Sequence, residues 1–167
     1  ANIYSGTVAP SASQDVLVKF NSESLLAGVY TDTLLVSSND PANPVVPVLC
    51  TFTVSGSPEI FLSDTCLVFD TIFQFGSVTD TLRVYNGGCD SLHIDSLLAG
   101  NTAFVVTSAP SYILPCDTGE IVVTFSPPAT GAYSSTLTLF CNAPDTSVCL
   151  SGFALPPPTI GISPASF

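Results

Sequence analysis

The chain has 167 residues, a net charge of −11 with only Lys19 and Arg83 as permanent cations, and a composition that is 46% hydrophobic but only 9% charged. So few cations leave nothing to grip a phosphate backbone or an anionic lipid surface, which argues against nucleic acid as a partner. No run of about 18 apolar residues appears, so no membrane insertion is expected in this segment.

Apolar residues alternate in short runs bounded by Gly, Pro, Asn and Asp, which predicts strands throughout and no helix. Residues 1–57 offer strands at 2–5, 15–20, 30–37 and 45–54. A stretch at 55–57 then reads as a boundary. Residues 58–155 offer seven strands, at 66–69, 80–85, 91–97, 103–107, 120–125, 133–141 and 147–153. Leu82 with Val84, Leu92 with Ile94, Ile121 with Val123 and Phe125, and Leu137 with Leu139 each share a face. One apolar and one wet face is the pattern of antiparallel sheets packed as a sandwich. Asn86-Gly87-Gly88 is expected to supply positive φ between two strands. Pro127-Pro128 stops the strand ending at Phe125. Pro156-Pro157-Pro158 forms a stiff spacer.

The chain repeats itself. Pro58-Glu59-Ile60 recurs as Pro158-Thr159-Ile160, and Gly28-Val29-Tyr30 with Thr33-Leu34 recurs as Gly131-Ala132-Tyr133 with Thr136-Leu137. Val16-Leu17-Val18 with Phe20 recurs as Ile121-Val122-Val123 with Phe125. The offsets, about 100 to 105 residues, match the length of one sandwich domain. The expectation is therefore tandem seven-stranded sandwiches. Residues 1–57 would be the C-terminal part of one immunoglobulin-like module, 58–155 a complete module, and 156–167 a linker with the first strand of the next. A partial sandwich exposes its apolar face, so residues 1–57 need completion by upstream chain or by a strand donated from a neighbour, for which 159–167 is a candidate.

A family resemblance rests on Phe75-Gly76-Ser77, Thr81-Leu82-Arg83-Val84-Tyr85-Asn86-Gly87-Gly88 and Leu92-His93-Ile94. It continues through Phe104, Pro115, Ile121-Val122-Val123-Thr124-Phe125-Ser126-Pro127, Gly131-Ala132-Tyr133-Ser134-Ser135-Thr136-Leu137 and Leu150-Ser151-Gly152. The chain resembles the choice-of-anchor D modules, relatives of the ASPM–SPD-2–Hydin domain. That resemblance implies an immunoglobulin-like sandwich in large bacterial surface or secreted proteins of Bacteroidetes type, often in tandem, with no catalytic residues. The cysteines and the scarcity of Lys and Arg depart from many relatives.

Six cysteines without a Cys-x-x-Cys pair favour disulfides and an oxidising, extracellular or cell-surface location. Cys89 and Cys116 lie in turns at one end of such a sandwich and make the first expected pair. Cys141 and Cys149 flank the last hairpin and make the second, although Cys141 shares the parity of core-facing Leu139, and Cys149 could instead meet Cys66. Cys50 with Cys66 follows only by exclusion.

Eight of the ten aspartates precede Ser or Thr, at Thr33, Thr65, Thr71, Thr81, Ser91, Ser96, Thr118 and Thr146. Five of these pairs are followed by Leu or Ile, which resembles an Asp-Ser/Thr-apolar acceptor for O-glycosylation in Bacteroidetes envelope proteins. Turn chemistry is the other reading: Asp ends a loop and Thr begins a strand. Glycans would solubilise a surface assembled from 40 Ser and Thr rather than from charges.

Catalysis finds little support. The one histidine, His93, has strand parity beside outward Asp95, and a hydrolytic triad needs a nucleophile and an acid in the same cleft. Asp90 and Asp95 as paired carboxylates are a chance arrangement on a loop and a strand. Asn39 with Asp40, Asp64 with Asp70, and Asp117 with Glu120 offer oxygen atoms for calcium, but none has the dense spacing of a calcium loop, so no metal or cofactor is expected. The expected role is a non-enzymatic segment of a stalk or filament whose partners are neighbouring modules of the same protein, with a homopolymer possible. The alternative is an adhesin in which Tyr4, Tyr30 and Tyr112 grip glycans or a partner protein.

Overall fold

The computed structural model describes residues 5–161 and is all-β over that range. The first two strands, β1 (Gly28–Ser37) and β2 (Val45–Val54), pair antiparallel as an isolated hairpin. Its loop is closed by Ser38 N–H donating to Pro44 O at 2.8 Å. The Asp40 carboxylate accepts from Ala42 N–H at 2.8 Å and from Asn43 Nδ2 at 3.3 Å. The Ala42 bond first, then the Asn43 amide, holds the Asp40 carboxyl below the usual carboxylate range.

The other strands are β3 (Ile60–Leu62), β4 (Cys66–Val68), β5 (Ile72–Phe73), β6 (Val78–Asn86), β7 (Leu92–Ala99), β8 (Phe104–Ser108), β9 (Tyr112–Ile113), β10 (Thr118–Phe125), β11 (Gly131–Cys141) and β12 (Thr146–Leu155). One sheet runs β3-β6-β10-β8, and the other runs β4-β12-β11-β7-β9 with β5 also on β12. This order is broadly that of an immunoglobulin-like sandwich. Its core comes from alternate residues, as the pattern requires: Leu82, Val84, Ile121, Val123, Phe125, Leu137 and Leu139 are all fully buried. Phe104 and Phe125 stack at 4.9 Å, and Phe69 packs on both. Gly152 permits this, because a Cβ there would lie 2.6 Å from the Phe125 ring.

Several expected elements differ. The strand expected at 66–69 is one of three pieces. β3 pairs antiparallel with β6, the chain then crosses over, and β4 and β5 pair parallel with β12. These pieces are two or three residues long, too short for periodicity to register. The short β9 pairs only with the end of β7 and was likewise not foreseen. Residues 15–20 form no strand. Their counterpart β10 sits hydrogen-bonded between β6 and β8, and residues 5–27 contain no strand that could flank 15–20 in that way. Most of the strand expected at 2–5, and residues 162–167 of the expected next module, lie outside the described residues.

Gly87 and Gly88 are also corrected: the positive-φ glycines are Gly28 and Gly131. Glycine is needed at 87 and 88 for close approach. A Cβ on Gly87 would meet the Phe61 ring at 2.6 Å, and one on Gly88 would meet Glu59 N at 2.6 Å and Pro58 C at 2.7 Å.

A single disulfide joins Cys66 to Cys149. Val148 and Leu150 point inward, so Cys149 points outward, and Cys66 faces it in register across the β4–β12 pair. Cys141–Cys149 fails because Cys141 faces the core side, where its Sγ donates to Ala143 O at 3.5 Å. Cys50–Cys66 fails because Cys66 is taken and Cys50 lies on the separate hairpin.

The same corner is built twice. Tyr133 Oη donates to Ala129 O at 2.9 Å, and Tyr30 Oη donates to Leu26 O at 2.9 Å. Each bond returns four residues upstream at the start of the first hairpin strand, the geometry of a tyrosine corner. The hairpins that follow correspond strand for strand. Gly28 faces Val54 as Gly131 faces Ala154.

Two outcomes follow from these contacts. Breaking Cys66–Cys149 by Cys66→Ser should lower stability by about 4 kcal/mol, given that the bond closes a separation of 83 residues. Urea unfolding of variant and wild type under non-reducing conditions measures this, and equal midpoints would refute it. Tyr133→Phe should lose about 1 kcal/mol through the missing corner hydrogen bond, read in the same assay.

Candidate functional site

The most elaborated region is the pole where the hairpin meets the sandwich. Asn86, at the end of β6, is the buried polar side chain there and is fully enclosed. Its Nδ2 donates to Asp90 O at 2.8 Å and Ile113 O at 3.0 Å, and its Oδ1 accepts from Gly88 N–H at 3.1 Å and Glu59 N–H at 3.2 Å. Every donor and acceptor of the amide is thereby used. One side chain ties together the residue before β3, the turn after β6 and the end of β9. From sequence, Asn86 reads only as a turn residue. Its bonds to Gly88 and Asp90 are local turn contacts, but those to Glu59 and Ile113 each span 27 residues, and no local signal discloses them.

Beside Asn86 a cleft of about 980 Å³ opens between the hairpin's approach and the sandwich. Leu25, Leu26, Pro58, Gly88, Cys89 and Cys116 are among its walls. The approach is anchored by Ala27 N–H donating to Cys89 O at 2.9 Å, and Cys89 N–H donates to Ser57 O at 3.2 Å. Cys89 and Cys116, the first pair expected from sequence, are thus brought to one cleft, exposed and with no bond between them.

The other sequence candidates are dispersed. His93 is exposed on β7 beside exposed Asp95, and its ring lies 6.3 Å from that of Tyr112. No group of three or more His, Cys, Asp or Glu gathers among the described residues. Asp64 accepts from Ser63 Oγ, Asp117 accepts from Thr118 N–H, and Glu120 pairs with Arg83 at 3.2 Å across the outer face of β6 and β10. Of the residues suggested for calcium, Asp40, Asp64, Asp117 and Glu120 therefore have other partners. Of the Asp-Ser/Thr sites, Thr33, Thr65, Thr71, Ser96 and Thr118 are exposed, while Thr81, Ser91 and Thr146 are half-buried. At Asp32, Asp80, Asp90 and Asp117 the carboxylate accepts from the N–H of the following Thr or Ser at 2.7–2.8 Å, a local structural use of that pairing.

The aromatic candidates are likewise separated. Tyr30 is used in its corner and stacks on Phe52 at 5.4 Å, while Tyr112 lies on β9 of the other body of strands. Tyr4 lies outside the described residues.

No family model matches this chain, and no curated protein does either. Among solved structures the chain is similar to the ASH / PapD-like domain of human CEP192 (PapD-like domain 7), with TM-score 0.54 and 16% identity over 61% of this chain and 89% of that one. It is also similar to a protein of unknown function from Porphyromonas gingivalis W83, with TM-score 0.54 and 15% identity over 78% of this chain and 67% of that one. At such identities these likenesses establish fold alone: an all-β domain that loosely resembles PapD-like and immunoglobulin-like domains.

Asn86→Ala should cost about 3 kcal/mol, because it strands two carbonyls and two N–H groups at a buried junction. Thermal unfolding with a surface control, Asn39→Ala on the exposed hairpin loop, checks this. A loss no larger than the control's would refute the hub.

Proposed function

We propose that the chain is a structural, non-catalytic segment of an extracellular or cell-surface stalk or filament built from tandem immunoglobulin-like modules. In this reading residues 1–57 are the end of one module, 58–155 a complete one, and 156–167 the passage to the next. The supporting observation is the hairpin's bare core face. Register places Leu34, Val36, Val48 and Cys50 where Leu137, Leu139, Val148 and Leu150 stand in the sandwich. Leu34 and Val36 are 37% and 44% exposed, whereas Leu137 and Leu139 are fully buried. A face of that kind is made to be covered.

What covers it is the rest of its own sandwich. In the complete module that face packs on the sheet containing β6 and β10, so a single donated strand such as 159–167 is too little. Cys50, at the position of core Leu150, is then a small buried hydrophobe rather than half of a disulfide. The Cys66–Cys149 bond, the scarcity of charge and the many hydroxyl groups support an oxidising exterior. O-linked glycans on the exposed Thr33, Thr65, Thr71, Ser96 and Thr118 belong to the same proposal.

Hydrogen exchange tests it. In the 167-residue chain alone, β1 and β2 amides should exchange fast while those of β6, β10 and β11 stay protected. In the protein isolated from its source, β1 and β2 should be protected as well, and electron microscopy should show rods or fibres with a one-module or two-module repeat. Fast exchange of the hairpin in the native protein, or discrete particles, would sink the reading.

A further inference from the structure

We propose that Cys89 and Cys116 form a second disulfide, which staples the turn after β6 to the turn before β10 at the pole that carries the hairpin. The free cysteines divide into two kinds. Cys50 and Cys141 are half-buried, and their thiols donate to Val48 O and Ala143 O. Cys89 and Cys116 are exposed, make no thiol hydrogen bond among the described residues, and line the same cleft. Their backbones are already coupled through one residue. Cys116 N–H donates to Asn86 O at 2.8 Å, and Asn86 Nδ2 bridges Asp90 O, next to Cys89, to Ile113 O.

Cys116 also occupies a conformation that cysteine does not favour. Leu114-Pro115-Cys116-Asp117 is a turn closed by Asp117 N–H donating to Leu114 O at 3.1 Å, and Cys116 in its third position has φ 60°. Glycine or asparagine takes that place without strain. A strained residue persists where something else requires its side chain, and in this proposal the requirement is a thiol that lines the same cleft as Cys89.

The chemistry is thiol–disulfide exchange with a low-molecular-weight disulfide such as oxidised glutathione. One cysteine thiolate attacks a glutathione sulfur and expels a glutathione thiolate. The second cysteine then attacks the protein-bound sulfur and expels the other. Two protein thiols are oxidised to one disulfide, one glutathione disulfide is reduced to two thiols, and the two cysteine protons pass to the leaving thiolates. The consequence lies at the joint. Cys89 O holds Ala27 N–H, and a Cβ on Gly56 would lie 2.8 Å from Cys89 Sγ, so fixing Cys89 fixes the surface on which the hairpin's approach rests.

The test uses the whole chain, reduced and then equilibrated in its folded state with oxidised glutathione. Free thiols are next alkylated, and the protein is digested with pepsin for mass spectrometry. A cross-linked peptide pair containing Cys89 and Cys116 is expected, with Cys50 and Cys141 alkylated. Stable glutathione adducts on Cys89 and Cys116, alkylation of both, or linkage of either to another cysteine would overturn the proposal. Cys116→Gly supplies an independent arm. Reduced, it should melt no lower than wild type, because glycine suits the turn. Oxidised, it should gain less melting temperature than wild type. An equal gain would show that the cleft cysteines form no bond.

Discussion

The buried amide of Asn86 is the constraint on which the rest of the molecule depends. Immunoglobulin-like sandwiches must bring turns from distant parts of the chain to one end, and those turns carry backbone groups that no ladder satisfies. Asn86 satisfies two carbonyls and two N–H groups at once. Because it does, β3 can begin against β6, and Gly87 and Gly88 can let Phe61 and the 57–59 backbone approach closely. The same turn presents Cys89 O to Ala27. The core beneath is ordinary apolar packing, and its alternating residues would assemble in many sandwiches. The way this sandwich meets what precedes it is set at one polar residue.

The contrast between β1–β2 and β11–β12 separates local from non-local structure. Both hairpins start from a tyrosine corner and have the same register. The corner and the hairpin need only residues close in sequence, so they form in both places. The strand before the corner needs partners from remote segments. β10 has β6 and β8, and residues 15–20 have neither. Phe20 still lies 4.8 Å from Phe52, next to Tyr30, in an aromatic cluster that parallels Phe125 beside Tyr133. The side chains for a core are present on the hairpin without the opposite sheet that would enclose them.

Much was legible from residue pattern. The alternating faces at Leu82 with Val84, Ile121 through Phe125 and Leu137 with Leu139 proved to be the core, because a two-residue period permits no other solution once one face is wet. The repeat from Gly28 to Gly131 marked a real structural equivalence. The divided first strand, the short β9 and the role of Asn86 were not legible. Each is defined by pairing across a long stretch of chain, and none leaves a periodic trace. Tyr30 was legible as part of the repeat and misread in purpose, since an exposed-looking tyrosine at a strand start is in fact a corner.

By itself the sequence determined an all-β chain with strongly alternating faces, almost no cations and an internal repeat of about one sandwich in length, because composition and periodicity are properties of neighbouring residues. Tertiary structure decided between the two partners, Cys141 and Cys66, that the sequence left open for Cys149. Cys149 faces outward because Val148 and Leu150 face inward, and parallel pairing of β4 with β12 brings Cys66 to it from 83 residues away. A cysteine's neighbours record which face it takes, but the partner on that face is chosen by where strands lie in a sheet.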